Sequence, residues 1–233
     1  MTIIDVPAAG FRLAALDLYK DIHKGIRAEL FAAVSAAGSL DPTDAFGRAD
    51  LANHVQSVAD VLDSHAAHED GVIGPALEAH LPDLAALIHA DHEELDGRVV
   101  GLRDLAATVA VAPAGDERRL THLLYLELAS FTGRYLTHQD REEQVVMPAL
   151  ETAVGVEAVV AMHQAIVGSI PPDEMARSLA FMLPAMNVDD RVEMLAGMRE
   201  GAPREAFAGV VGLARSVLAP VDSAAALARL GLS

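Results

Sequence analysis

The chain has 233 residues, 52% of them hydrophobic but only 4% aromatic, with no cysteine and no tryptophan. A formal charge of −17 argues against nucleic acid and against anionic membrane surfaces as partners. The absence of cysteine excludes disulfides, thiol catalysis and cysteine-held iron–sulfur clusters.

An Ala- and Leu-rich composition with few aromatics favours closely packed helices over sheets. Residues from Phe11 to about Ala37 read as a first long amphipathic helix, ended by Gly38-Ser39. Asp41-Pro42 is a helix-start signal, and a second helix is expected from about Asp50. Gly71, Gly74 and Pro75 should weaken or kink that helix. Pro82 opens a third helix, expected to run to about Val109, and Pro113 to Gly115 break the chain before a fourth. The fourth runs from about Asp116 past Pro148. Beyond Gly155 the segments shorten, and three or four small helices are expected through about Leu230. Asn187 ahead of Asp189 and Asp190 reads as a helix cap with acidic residues in the first turn. The expected architecture is all-α: a four-helix up-down bundle over residues 1–154 and an appended helical subdomain over 155–233 with no assigned chemistry.

The opening MTIIDVPAAG has no basic region followed by an apolar one, and no apolar run is long enough to span a bilayer. A soluble cytoplasmic protein is therefore the expectation, with no membrane partner.

Two stretches carry the chemistry. Residues 65–77 align without a gap on residues 138–150. Each reads HxxxE, an acidic residue, a hydrophobic pair and then Pro-Ala-Leu: His65 and Glu69 in one copy, His138 and Glu142 in the other. Residues four apart on a helix sit one turn above each other. Each pair therefore offers an imidazole and a carboxylate to one point, and two such helices facing each other have the ligands for two metal ions. His23 shares a stripe with Tyr19, Ile26 and Leu30, and His92 shares one with Ile88, Leu95 and Val99, so both should face inward.

Other histidines fit less well. His122 lies about 160° around the helix from His138, and His54 lies about three turns from His65. His68 and His80 should be solvated. His89, one turn before His92, either ligates or acts behind His92. Asp70 and Glu143 are rotated about 100° from the ligand face, so a solvated position is expected for them. Tyr19 is expected either at the metal edge or as a core residue bonded to a carbonyl. No zinc-protease HExxH, ferritin-type Glu-x-x-His arrangement, phosphate loop, dinucleotide fingerprint or nucleophile elbow is present.

His23, the pair His65/Glu69, His92 and the pair His138/Glu142, with Pro-Ala-Leu after each pair, resemble the hemerythrin-like (HHE cation-binding) family over roughly residues 11–154. The resemblance implies an antiparallel four-helix bundle holding two iron ions bridged by oxygen, oxo or hydroxo. It implies that His23 and His65 bind one iron, His92 and His138 the other, and that Glu69 and Glu142 bridge. Oxygen-carrying hemerythrins have HxxxH on the third helix, where this chain has His89 and His92. Their second bridging carboxylate is an Asp five residues after its His, where this chain has Glu142 four residues on. The iron-sensing F-box relative has a Glu after the second-helix His, where this chain has Ala66. Those departures point away from simple oxygen carriage. The expected partner is a small peroxide or diatomic molecule, handled either by a di-iron oxidoreductase or by a non-catalytic O₂, NO or iron binder. The sequence names no protein partner.

Overall fold

The computed structural model describes residues 14–232. The stretch read for a secretion signal, and Phe11 to Leu13 of the predicted first helix, lie outside the described residues. The described chain is helical and contains no strand.

Four long helices form the bundle: α1 (Lys20–Ser39), α2 (Ala45–His68), α4 (Pro82–Ala110) and α5 (Glu117–Arg141). Each packs on its neighbour in sequence, and α5 closes the ring against α1. Two starts differ from expectation for the same reason. The Asp17 carboxylate accepts the backbone N–H groups of Tyr19 and Lys20, so α1 begins at Lys20. Asp41 accepts Thr43 N–H in a tight turn, and Asp44 then accepts Gly47 N–H as the cap of α2. In both places an aspartate satisfying donors that a new helix leaves unpaired fixes the boundary.

The kink expected at Gly71–Pro75 takes a definite form. A proline cannot donate to the residue four before it and crowds that carbonyl. Ahead of Pro75 the chain widens over Glu69–Ile73, where Gly74 N–H bonds Glu69 C=O in an i→i+5 turn. The second copy does the same over Glu142–Val146, with Met147 N–H on Glu142 C=O ahead of Pro148. Each helix therefore continues, as α3 (Gly74–His80) and α6 (Met147–Val154), and each π turn begins at the motif's glutamate.

Five short helices follow rather than three or four: α7 (Val156–Ser169), α8 (Pro172–Ala185), α9 (Val188–Gly201), α10 (Arg204–Val217) and α11 (Pro220–Arg229). Asn187 caps α9 by accepting from Asp189 and Asp190 N–H, as read from the sequence. Helix α8 crosses α1 so closely that a Cβ on Gly25 would meet the Met182 backbone at 3.3 Å. Lys20 and Lys24 of α1 pair with Asp190 of α9, and Ser64 of α2 donates to Glu174 of α8.

The core has two apolar halves in the bundle. Ile26, Leu62, Leu95 and Tyr135 belong to one, and Tyr19, Ile73, Ile88 and Val146 to the other. His23, the His65/Glu69 pair, His92 and the His138/Glu142 pair each fall between those paired positions along their helices. A polar layer thus interrupts the apolar stripe of all four helices.

Candidate metal centre

All six predicted residues meet in that layer. His23, Glu69, His92, His138 and Glu142 are buried, and the His65 side chain is 8% exposed. They form two overlapping quartets, His23/His65/Glu69/Glu142 and Glu69/His92/His138/Glu142, the ligand atoms of each lying within 4.8 Å of one another. Both glutamates are common to the two quartets.

Their oxygens are divided between the quartets. Glu69 places Oε1 3.0 Å from His65 Nε2 and Oε2 3.4 Å from His92 Nε2. Glu142 places Oε2 3.4 Å from His23 Nε2 and Oε1 3.1 Å from His138 Nε2. These approaches are close but poorly directed: all four carboxylate oxygens and His92 Nε2 are buried without a hydrogen-bond partner. His23 Nε2 and His65 Nε2 face each other at 3.2 Å. Leaving buried polar atoms unpaired is expensive, and imidazole nitrogens with carboxylate oxygens are the donors that iron, manganese and zinc accept. The donor set of each quartet fits a bound cation.

The electrostatics agree. Burial and then the neighbouring Glu142 charge push the Glu69 carboxyl up to about 8. Burial also opposes ionisation of Glu142, but close contact with His138 and His92 outweighs it and holds that carboxyl below the usual range. For His92, burial acts against the charged form, yet the two glutamates prevail and push it up to about 11. Burial and the nearby His23 hold His65 well below its ordinary value. Without a cation, protons must do the work of neutralising the two carboxylates.

The outward nitrogens have carboxylate partners: Asp70 is exposed, as expected, yet reaches His92, whereas Glu143, expected in solvent, is half-buried against His23. Glu143 stands 2.8 Å from His23 Nδ1 and is gripped by both terminal nitrogens of Arg27 at 2.8 and 3.0 Å. Asp70 stands 2.9 Å from His92 Nδ1. The signal was present in the repeat: each HxxxE is followed by an acid, and each acid serves the histidine of an adjacent helix. Asp91, which the sequence reading passed over, is buried 3.4 Å from His138 Nδ1 and bonded by Arg141. Carboxylates at Nδ1 fix the tautomer that leaves Nε2 free to ligate.

Two tyrosines flank the layer. Tyr19 stacks on His23 with ring centroids 5.0 Å apart, and among the described residues its hydroxyl has no carbonyl partner. Tyr135 meets His138 edge-on at 5.6 Å. Burial and the glutamate charges hold both phenols well above their ordinary value.

The remaining histidines stand elsewhere. His89 is exposed, with Nε2 3.2 Å from Glu78, and takes no part in the cluster. His54 pairs with Glu29, His68 lies beside Glu174, and His122 is exposed against Tyr125.

The family profile described as the hemerythrin HHE cation binding domain matches residues 14–150, well over half of the chain. The chain belongs to that family. In this hemerythrin-family chain the match ends at Leu150, inside α6, so α7 to α11 lie beyond it. No curated protein and no solved structure matches the chain. Among the described residues no single helix is long and apolar enough to cross a membrane.

Proposed function

We propose that the six residues hold two iron ions and that the centre reacts with small oxidants, hydrogen peroxide foremost, with O₂ and NO as related guests. The observation that carries this reading is the division of each buried carboxylate's two oxygens between two histidine pairs. Such a carboxylate spans two cations and offsets charge on both. In this reading His23 and His65 serve one ion, His92 and His138 the other, and Glu69 and Glu142 bridge.

A bound iron pair supplies two-electron exchange with a peroxide. The chain's own residues set the conditions. Burial keeps bulk water from the six residues, which suits a small guest. Glu143, Asp70 and Asp91 hold the outward imidazole protons, so the inward nitrogens stay aimed at the centre. The Tyr19 and Tyr135 rings shield the flanks.

The test is iron loading of the full chain without oxygen, followed by metal analysis and peroxide consumption. Two irons per chain and catalytic loss of H₂O₂ are expected. Zinc alone in the native protein, or one iron at saturation, overturns the two-iron reading. A second reading, a non-catalytic O₂, NO or iron binder, is favoured by the contacts of α8 and α9 with the ligand-bearing helices α1 and α2, which offer a route to a partner. Stable reversible O₂ binding without peroxide turnover selects it.

A further inference from the structure

The two copies of the motif are matched in their inward atoms and unmatched behind them. In the His92/His138 half, both outward nitrogens face a carboxylate: Asp70 at 2.9 Å and Asp91 at 3.4 Å. Asp91 is buried and fixed in turn by Arg141, with Arg134 3.6 Å away. In the His23/His65 half, only His23 is so equipped, by the Glu143 that Arg27 clamps. Among the described residues no side chain hydrogen-bonds the outward nitrogen of His65, whose side chain is 8% exposed, against 6% for His92, 3% for His138 and none for His23.

The cause can be read along the chain. Asp91 precedes His92 on α4 and reaches the histidine of the next helix, α5. The corresponding residue on α1, preceding His23, is Ile22, which packs on the apolar core instead. Arg141, three residues after His138, secures Asp91; three residues after His65 the chain has His68, which turns away to Glu174. The first half of the repeat lacks both members of the device that holds the second.

A carboxylate behind a ligating imidazole fixes its ring and raises its basicity, and removing such a partner typically costs 10–100-fold in metal affinity. Building on the two-cation reading above, we propose that the subsites are unequal: the His92/His138 subsite fills first, and the His23/His65 subsite fills second and releases first, with His65 as the yielding ligand. The chain is thereby suited to exchange or open one ion while the other anchors the pair.

The experiment is a titration of the metal-free full chain with Co²⁺ under argon, followed by its visible spectrum and by calorimetry. Two binding constants about 10–100-fold apart are expected. Asp91→Asn should weaken the tighter constant and leave the looser one. Ile22→Asp should tighten the looser constant and narrow the gap, which gives a gain that mere destabilisation cannot mimic. His65→Ala should retain one ion with the spectrum of the first equivalent. Melting of each metal-free variant checks that it folds. Two equal constants, or an Asp91→Asn effect confined to the looser one, overturn the inference while leaving two ions in place. Failure to bind a second ion at saturating Co²⁺ overturns instead the two-cation reading on which it rests.

Discussion

The bundle and the helices after Gly155 bury polar groups in opposite ways. In the later helices Arg191 is buried, but its Nε donates to Leu183 C=O at 2.7 Å and a terminal nitrogen to Pro184 C=O at 3.3 Å. It satisfies carbonyls at the end of α8, where Pro184 disturbs the helix. Among the described residues, every buried side-chain atom without a partner falls between Asp21 and Gln144. Five of these are the carboxylate oxygens of Glu69 and Glu142 and Nε2 of His92. Arg48 shows that the contrast concerns groups rather than regions, since in the bundle it also donates to a carbonyl, that of Val109. A buried polar group whose bonds are complete closes the fold. Several left over at one point, with matched directions, need a ligand.

The sharpest way to break this contrast is Glu142→Ala. Its oxygens face both histidine pairs, so metal analysis should show both ions lost or strongly depleted, not one. Retention of two ions under native purification conditions refutes the bridging role. Water can replace a bond in such a pocket but not a charge.

Next in size is the effect of metal removal, which should depend on pH. Folded Glu69 holds its proton to about 8 and folded His92 to about 11, both above the ordinary values of 4.5 and 6.5. Raised values mean that the folded state binds more protons, so their contribution is complete below the unfolded values and is lost as pH rises through the folded ones. Metal-free stability from this site therefore falls between pH 7 and 9. A cation that displaces those protons gains over the same window, so the melting-temperature difference between loaded and stripped protein should widen from pH 7 to 9. A difference that is flat or narrows counts against the assignment. Glu69→Gln, which carries no ionising carboxyl there, should flatten part of the slope in the stripped protein.

A smaller effect tests the satisfied side of the comparison. Arg191→Met leaves the Leu183 and Pro184 carbonyls without their donor and should cost about 1–3 kcal/mol. Hydrogen exchange should report the loss at the end of α8 and in α9, with metal content unchanged. Loss of metal in this variant would show that the later helices hold the centre together. The smallest effect is expected for His89→Ala, because His89 is exposed and its ring pairs with Glu78, away from the cluster. Two ions and an unchanged melting temperature should remain; loss of one ion would restore His89 as a ligand.

The sequence by itself determined the four long helices, the repeat and which six residues meet in the polar layer. Helical periodicity fixes which side chains share a face of one helix, and an HxxxE pair on an otherwise apolar stripe has only one inward direction. Periodicity does not say how that face is turned towards the neighbouring helix, and only the tertiary structure decided what depends on this. Asp70 and Glu143 were legible as acids after each motif, but reaching a histidine on another helix depends on how helices pack. Asp91 gave no local signal at all. His89 was ambiguous at one turn from His92 until the rotation of α4 carried it outward to Glu78. Gly71, Gly74 and Pro75 foretold a disturbance in the first copy alone, and the fourth helix was expected to run on past Pro148; the π turns starting at Glu69 and at Glu142 needed the packed helices on either side to keep each helix running. The unequal backing of the two subsites has the same origin: one Asp and one Ile, each preceding an inward histidine, differ in consequence only because the next helix lies within reach.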